Sequence, residues 1–283
     1  MSSIQRIVVV MSTNYAGSHL LSHLLSAHPH CVGVGEIHRY SQLLNDRADA
    51  PVIAEYVNNP IYAELDQLPE SRWHEEIGRR SGARVIVDNS KKVKWLSQIR
   101  KNSNYDIKLV HLVRDPRALV ARWLNTYTDG RARRIQRLRV AKRMPKHALE
   151  VLRGGWEVVF IYKWLRENIQ VNRFLLGSDL QYSRVTYRDL AFATEETLQG
   201  LMPELGLEFD SAQLRFGESG TLGTTKIDHE ETVRRSEIKP DLKWQQQLEP
   251  QTLRLIETHG PLLEFLRSLD LEFVADGLSS MTK

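Results

Sequence analysis

Four short runs of apolar and β-branched residues punctuate the chain: 7–11 (IVVVM), 84–87 (RVIV), 107–113 (IKLVHLV) and 180–186 (LQYSRVT). They are too continuous for one-sided strands, and each predicts a strand buried on both faces. A shorter run, VGVG at 32–35, predicts one more. Between the strands, apolar positions recur at helical spacing over 18–28, 91–101, 116–126 and 155–176. Further helices are predicted at 194–205, with Thr194 as its N-cap, and at 250–269. This alternation predicts an α/β fold: three layers, a mainly parallel central sheet flanked by helices, in the manner of P-loop NTPases. Right-handed crossovers would then line up the strand C-termini, and any ligand, along one sheet edge. Residues 209–235 are rich in Gly and Thr and lack a hydrophobic period. A loop of that length in a compact domain is either functional or disordered. With no repeat, low-complexity tract or clear linker, 1–283 is expected to be one domain.

Composition adds boundaries. The 283 residues, 41% of them apolar, can bury a core without covalent staples. Cys31 is the only cysteine, which excludes an internal disulfide and a cysteine-based zinc site. No apolar run approaches the roughly 18–20 residues of a membrane span. The run at 7–11 is also too short for a signal-peptide core, so a cytoplasmic location is expected. The net charge of +4 is unevenly distributed. Residues 131–147 (RARRIQRLRVAKRMPKH) contain no acid. Such a block is either a solvated helix face or a surface for nucleic acid, an acidic membrane or an anionic substrate.

Two segments carry candidate chemistry. The stretch RIVVVMSTNYAGSHLLSHLLSAHP, 6–29, reads as strand, tight turn and helix, the layout of a phosphate-binding loop. The Gly-Lys-Ser/Thr ending of a triphosphate loop is absent, because Gly17 precedes Ser18 and His19. The plainer reading is a βα turn with a capping serine. In KLVHLVRDPRALVARWL, 108–124, a buried strand delivers Arg114 to its C-terminal end and Pro116 opens a helix. Arg114 would project from the same edge as the loop, where its donor fork suits a phosphate. Arg122, two turns on, could face the same way; alternatively Arg114 and Asp115 pair with their neighbours. His19 and His23 have the spacing of two zinc ligands, but Leu20 stands where a zinc-protease glutamate would be, and no metal is expected. Trp156 and Trp164 fit core packing.

Taken together, STNYAGSHLLSHLLSAHPHCVGVGE, VIVDNSKKVKWL, LVHLVRDPRALVARWL, VTYRDLAFATEETLQGLMPELGLEFD and RRSEIKPDLKWQQQLEP occur in an order that resembles the sulfotransferases using 3′-phosphoadenosine 5′-phosphosulfate (PAPS). The resemblance spans roughly 7–269. It implies that Tyr15, Ala16, Gly17, Ser18 and His19 form the 5′-phosphosulfate loop, with Tyr15 and His19 departing from the family's Arg-Ser-Gly-Thr/Ser-Thr run. It implies that Arg114 grips the 3′-phosphate, that Arg122 stands where many members have a second 3′-phosphate ligand, a serine, and that Arg234 and Arg235 belong to a late segment folding over that phosphate. Sulfuryl transfer needs a base for the acceptor proton and cations for the leaving bridging oxygen. Lys91 is the candidate cation, with Ser90 and Lys92 beside it; Glu36 is the candidate base, with His38 second and His111 read as a strand residue. The implied reaction moves a sulfuryl group from PAPS to a hydroxyl or amine by in-line displacement, releasing PAP without an obligatory metal. The acceptor class is open; the basic helical segment 127–153 would be a substrate-side insertion able to recruit an anionic acceptor, and no nucleic acid is expected. Competing readings are a P-loop kinase or NTPase, and a polyanion-binding protein built on 131–147.

Overall fold

The computed structural model describes residues 6–46, 56, 59–101, 105–217 and 238–281. Its central sheet is β1 (Arg6–Ser12), β2 (Cys31–Gly33), β3 (Val85–Asp88), β4 (Asp106–Val113) and β5 (Tyr182–Thr186), all parallel, in the order β2-β3-β1-β4-β5. Ile7, Val9 and Met11 of β1 face one layer, with Trp73, Ile77, Trp95 and Leu96 in the same cluster. Val8 and Val10 face the other, among Leu21, Leu24, Leu25 and Leu198. Both faces of β1 are therefore dry, which is why its sequence is continuous rather than alternating. Each of those leucines contributes about 1.5–3 kcal/mol by leaving water.

The helices are α1 (Ser18–Ser26), α2 (His38–Asn45), α3 (Trp73–Ser81), α4 (Val93–Lys101), α5 (Pro116–Thr126), α6 (Gly130–Arg143), α7 (Ala148–Arg153), α8 (Trp156–Leu176), α9 (Tyr187–Phe192), α10 (Thr194–Glu204), α11 (Trp244–Gln247), α12 (Pro250–Glu257) and α13 (Gly260–Ser268). An antiparallel hairpin, β6 (Leu271–Val274) and β7 (Gly277–Ser280), follows. A third core cluster holds Trp123 of α5, Val140 of α6, Phe160 and Trp164 of α8, Ile256 of α12 and Leu262 of α13. The chain leaves β1 through α1 on one face and leaves β3 through α4 on the other. The neighbouring ends of β1 and β3 are therefore a switch point, where open α/β sheets leave a crevice.

Several expected boundaries shift for local reasons. The helix expected over 91–101 starts at Val93, because Lys91 adopts φ +58, outside the helical region. The one expected over 250–269 is two helices: α12 stops at Glu257, and the His259 ring accepts a hydrogen bond from Leu262 N (3.3 Å) to cap α13. Its apolar period survives the break because Ile256, Leu262 and Leu266 enter one cluster. Thr194 is not an N-cap; Ala193 is, and the Thr194 hydroxyl donates to Leu190 O at 2.7 Å. Within the long segment 209–235, residues Ser211–Arg215 form a 3-10 helix closed by an Asp210–Gln213 capping box. The strand expected at 180–186 begins at Tyr182, and the helix expected over 18–28 ends at Ser26. No described helix is long and apolar enough to cross a membrane.

Candidate active site

The turn between β1 and α1 is built on two left-handed residues, Tyr15 (φ 68) and Gly17 (φ 96). A Cβ on Gly17 would lie 2.6 Å from Cδ2 of Tyr187, so backbone conformation and space both demand glycine. Gly17, not Ser18, is the N-cap of α1, and no side chain caps the helix. The N–H groups of Ser18, His19 and Leu20 thus have no intrahelical acceptor, and with the helix dipole they form an anion-binding end. Ser18 is buried in the first turn and Ala16 is fully buried below it. Thr13 Oγ1 is buried without a hydrogen-bond partner among the described residues.

On the β3 side of this loop, Lys91 Nζ lies 2.6 Å from Glu36 Oε1. His19 Nε2 is 3.5 Å from the same oxygen, and Arg39 Nε is 3.6 Å from Glu36 Oε2. Burial pushes the Glu36 carboxyl upward, but His19, Lys91 and Arg39 outweigh it and hold the group well below the usual carboxylate range. Burial works against the Lys91 ammonium, and Glu36 is the group that opposes it. The backbone that presents Lys91 is fixed from below. Asp88, fully buried, accepts from Ser90 N (2.8 Å) and Trp95 Nε1 (2.8 Å) and lies 2.9 Å from His74 Nε2. Ser90 accepts from His38 N at 3.2 Å through its hydroxyl, tying the Glu36 segment to the Lys91 segment. His38 itself is buried and pushed down to about 4, chiefly by desolvation, and is therefore neutral near pH 7. Asn89 is fully buried, and neither amide atom is paired with a described residue.

On the β4 side, Arg114 donates to Tyr15 O (2.9 Å) and to Asp241 Oδ2 (2.8 Å), and its guanidinium lies 4.2 Å from the centre of the Tyr187 ring. The Arg114 carbonyl accepts from Trp164 Nε1 at 2.9 Å, so Trp164, in the core as expected, also anchors this strand end. Of the two residues that the alternative reading pairs with helix-start neighbours, Arg114 bonds elsewhere, to Tyr15 and Asp241. Asp115 caps α5 through Arg117 N (2.7 Å) and pairs with the Arg117 side chain, itself buried. Arg122 stacks on Tyr15, 4.9 Å from the ring centre. A cation therefore reaches the loop position where the sequence lacks one.

Tyr15, Ala16, Gly17, Ser18, His19, Glu36, Lys91, Arg114 and Arg122 thus gather along one sheet edge, with Ser90 and His38 just beneath. Arg234 and Arg235 lie outside the described residues. His111 is a fully buried strand residue, 3.4 Å from Asn168 Oδ1 and pushed down to about 3 by desolvation. Trp156 is only partly buried and lies under Arg133 and Arg137. A surface concavity of about 250 Å³ elsewhere is lined by Arg72, Glu75, Glu76, Arg79 and Arg80, whose charges pair with one another, and it contains none of these groups. Among the described residues no cluster of three His, Cys, Asp or Glu could hold a metal. Sequence reasoning missed Tyr187, Asp241, Arg39 and the Asp88 hub. Tyr187 stands in the distinctive VTYRDL segment, but nothing local says that its ring covers Gly17.

The parallel sheet in the order β2-β3-β1-β4-β5, with helices on both faces, is the α/β fold seen in solved sulfotransferases. The sulfotransferase domain of the curacin biosynthetic pathway superposes with a TM-score of 0.63 at 16% identity, covering 96% of this chain and 100% of that one. That of the Synechococcus PCC 7002 olefin synthase gives 0.56 at 19% identity over 92% and 96%. Mouse sulfotransferase SULT7A1, solved with PAP, gives 0.51 at 12% identity over 93% and 85%. No protein-family model matches the chain, and no curated protein is similar to it in sequence. The likeness is one of fold.

Proposed function

We propose that the protein is a PAPS-dependent sulfotransferase acting on a hydroxyl or amine acceptor. One observation carries this reading: an uncapped helix N-terminus flanked on one side by the Lys91–Glu36 pair and on the other by Arg114 and Arg122, all at one strand edge. The donor supplies a sulfuryl group on a phosphate oxygen. The N–H groups of residues 18–20 and the Ser18 hydroxyl would hold the 5′-phosphosulfate, Arg114 the 3′-phosphate. Arg122, stacked on Tyr15, takes the part of the missing loop cation. Arg114 Nε and Thr13 Oγ1 fit such a polyanion, since both are buried donors with no acceptor among the described residues.

In the transfer, the acceptor oxygen or nitrogen forms a bond to sulfur while the bond from sulfur to the bridging oxygen breaks, and PAP leaves with that electron pair. The acceptor proton passes to Glu36. In the resting arrangement Glu36 is a weak base because His19, Lys91 and Arg39 together hold it, against the upward push of burial. As Lys91 Nζ turns to the developing charge on the bridging oxygen, Glu36 loses that partner and its basicity rises. His38 is the second candidate base, neutral and adjacent.

The deciding experiment is ligand stabilisation followed by turnover. PAP at 100 times its Kd should stabilise the fold by about 2.7 kcal/mol, and labelled PAPS should transfer its sulfuryl group in a screen of sugar, lipid, peptide and small-alcohol acceptors. Stabilisation by ATP with Mg²⁺ and not by PAP would replace this reading with a kinase or NTPase.

A further inference from the structure

Beyond the loop, on the side of Arg122, helices α5, α6 and α8 each contribute cations. Lys163 and Arg166 of α8 share one acid, Glu167, at 3.0 and 2.7 Å from its Oε1. Lys163 Nζ also lies 3.7 Å from the centre of the Trp123 ring, and its side chain is almost fully buried. Arg139, exposed on α6, is within electrostatic reach of both Lys163 and Tyr127. Burial, Tyr15 and Glu167 push the Tyr127 hydroxyl up while Arg139 and Arg166 pull it down, so Tyr127 is coupled both to these cations and to the loop residue on which Arg122 stacks.

The charges do not balance. One carboxylate serves Lys163 and Arg166, while Arg122 and Arg139 pair with no acid among the described residues. Among the described residues Arg166 uses only Nη2; its Nε and Nη1 are buried and hydrogen-bond to no described group. A guanidinium held in a fold with two donors unmade is costly, and the residual charge suits a small, multiply charged oxyanion rather than a second carboxylate. Arginine forks match tetrahedral oxyanions in geometry as well as charge. The buried Trp123 ring excludes water beside Lys163 and strengthens the field of its ammonium.

We infer that Arg139, Arg166 and Lys163, with Arg122 at the border, form an oxyanion site for a phosphate monoester carried by the acceptor. This rests on the sulfotransferase reading and narrows its substrate class from any alcohol or amine to a phosphorylated one. The other source of the same chemistry is the 3′-phosphate of the nucleotide, and the two are separable because only the latter competes with PAP.

The test titrates inorganic phosphate into the full-length protein by calorimetry, with and without saturating PAP. Phosphate should bind the PAP-saturated protein at millimolar concentration. Arg166→Gln and Arg139→Gln should each weaken phosphate at least five-fold and change PAP affinity less than two-fold. Arg166→Lys keeps the charge but loses the fork, and should fall between Gln and wild type, which separates site chemistry from misfolding. Phosphate binding abolished by PAP would assign the cluster to the nucleotide and overturn the inference. Wild-type phosphate affinity in both Gln variants, or no binding at any concentration, would overturn it as well. If PAP itself fails to bind, the sulfotransferase reading falls, while the PAP-free titration still reports on the cluster.

Discussion

Arg114 and Asp241, 127 residues apart in sequence, are joined at 2.8 Å at the mouth of the candidate site. The same guanidinium is the proposed ligand of the nucleotide 3′-phosphate. A carboxylate therefore holds the place and the charge that a phosphate would take, and the nucleotide must exchange with it. Asp241→Asn removes the competing charge and should tighten PAP about two- to five-fold, the scale of a partly solvated ion pair. Calorimetric titration at low and high salt checks this; weakened binding at low salt would mean that Asp241 chiefly orients Arg114.

Arg114→Ala should cost most of the 3′-phosphate interaction. Charge-assisted hydrogen bonds contribute about 1.5–3 kcal/mol each, so PAP affinity should fall about 10- to 100-fold. The kcat at saturating PAPS should fall far less, because the group lies away from the reacting sulfur. A collapse of kcat with unchanged affinity would move Arg114 into the chemistry.

Lys91 and Glu36 should behave in the opposite way. Lys91→Ala and Glu36→Gln should each lower turnover by at least about 100-fold, on the scale of a lost acid, base or electrostatic group, with PAP still bound. In Glu36→Gln the ammonium faces burial with Lys92 and Arg39 as neighbours, all of which lower its pKa. Labelled-lysine NMR should therefore find Lys91 deprotonating at lower pH than in the wild type. An unchanged or raised Lys91 pKa would break the coupling on which the mechanism depends.

Acid should unfold the protein over a defined window. His38 and His111 are depressed from 6.5 to about 4 and about 3, so between pH 6.5 and 4 the unfolded chain binds protons that the native state refuses. Stability therefore rises with pH through that window, and falls on acidification, by about 1.4 kcal/mol per pH unit for each proton taken up. Urea unfolding at stepped pH measures the slope, and His111→Asn should reduce it. An unaltered slope would show that His111 does not carry the effect.

Gly17→Ala adds a methyl that meets Tyr187 at 2.6 Å on a backbone already at φ 96. Stability should drop by more than about 1 kcal/mol, read as a lowered Tm, and PAP binding should weaken with it. Unchanged Tm and PAP affinity would show that the loop relaxes freely around the addition.

The sulfotransferase-like frame was legible in the sequence, and so were the ends of the strands that bear the site. Parallel strands buried on both faces must be continuously apolar, and IVVVM and IKLVHLV announce themselves for that reason. Where such a strand ends, the next residues stand at the sheet edge whatever else the chain does, which is how the turn at Gly17 and the guanidinium at Arg114 could be placed. The tertiary structure alone decided the partnerships. Glu36 meets Lys91, Arg114 meets Asp241, Arg122 covers Tyr15, and Tyr187 closes on Gly17. None of these follows from spacing, because strand register and helix packing, not distance along the chain, determine which side chains converge. The unit charge of a lysine is written in the sequence; the neighbour that holds it is written only in the fold.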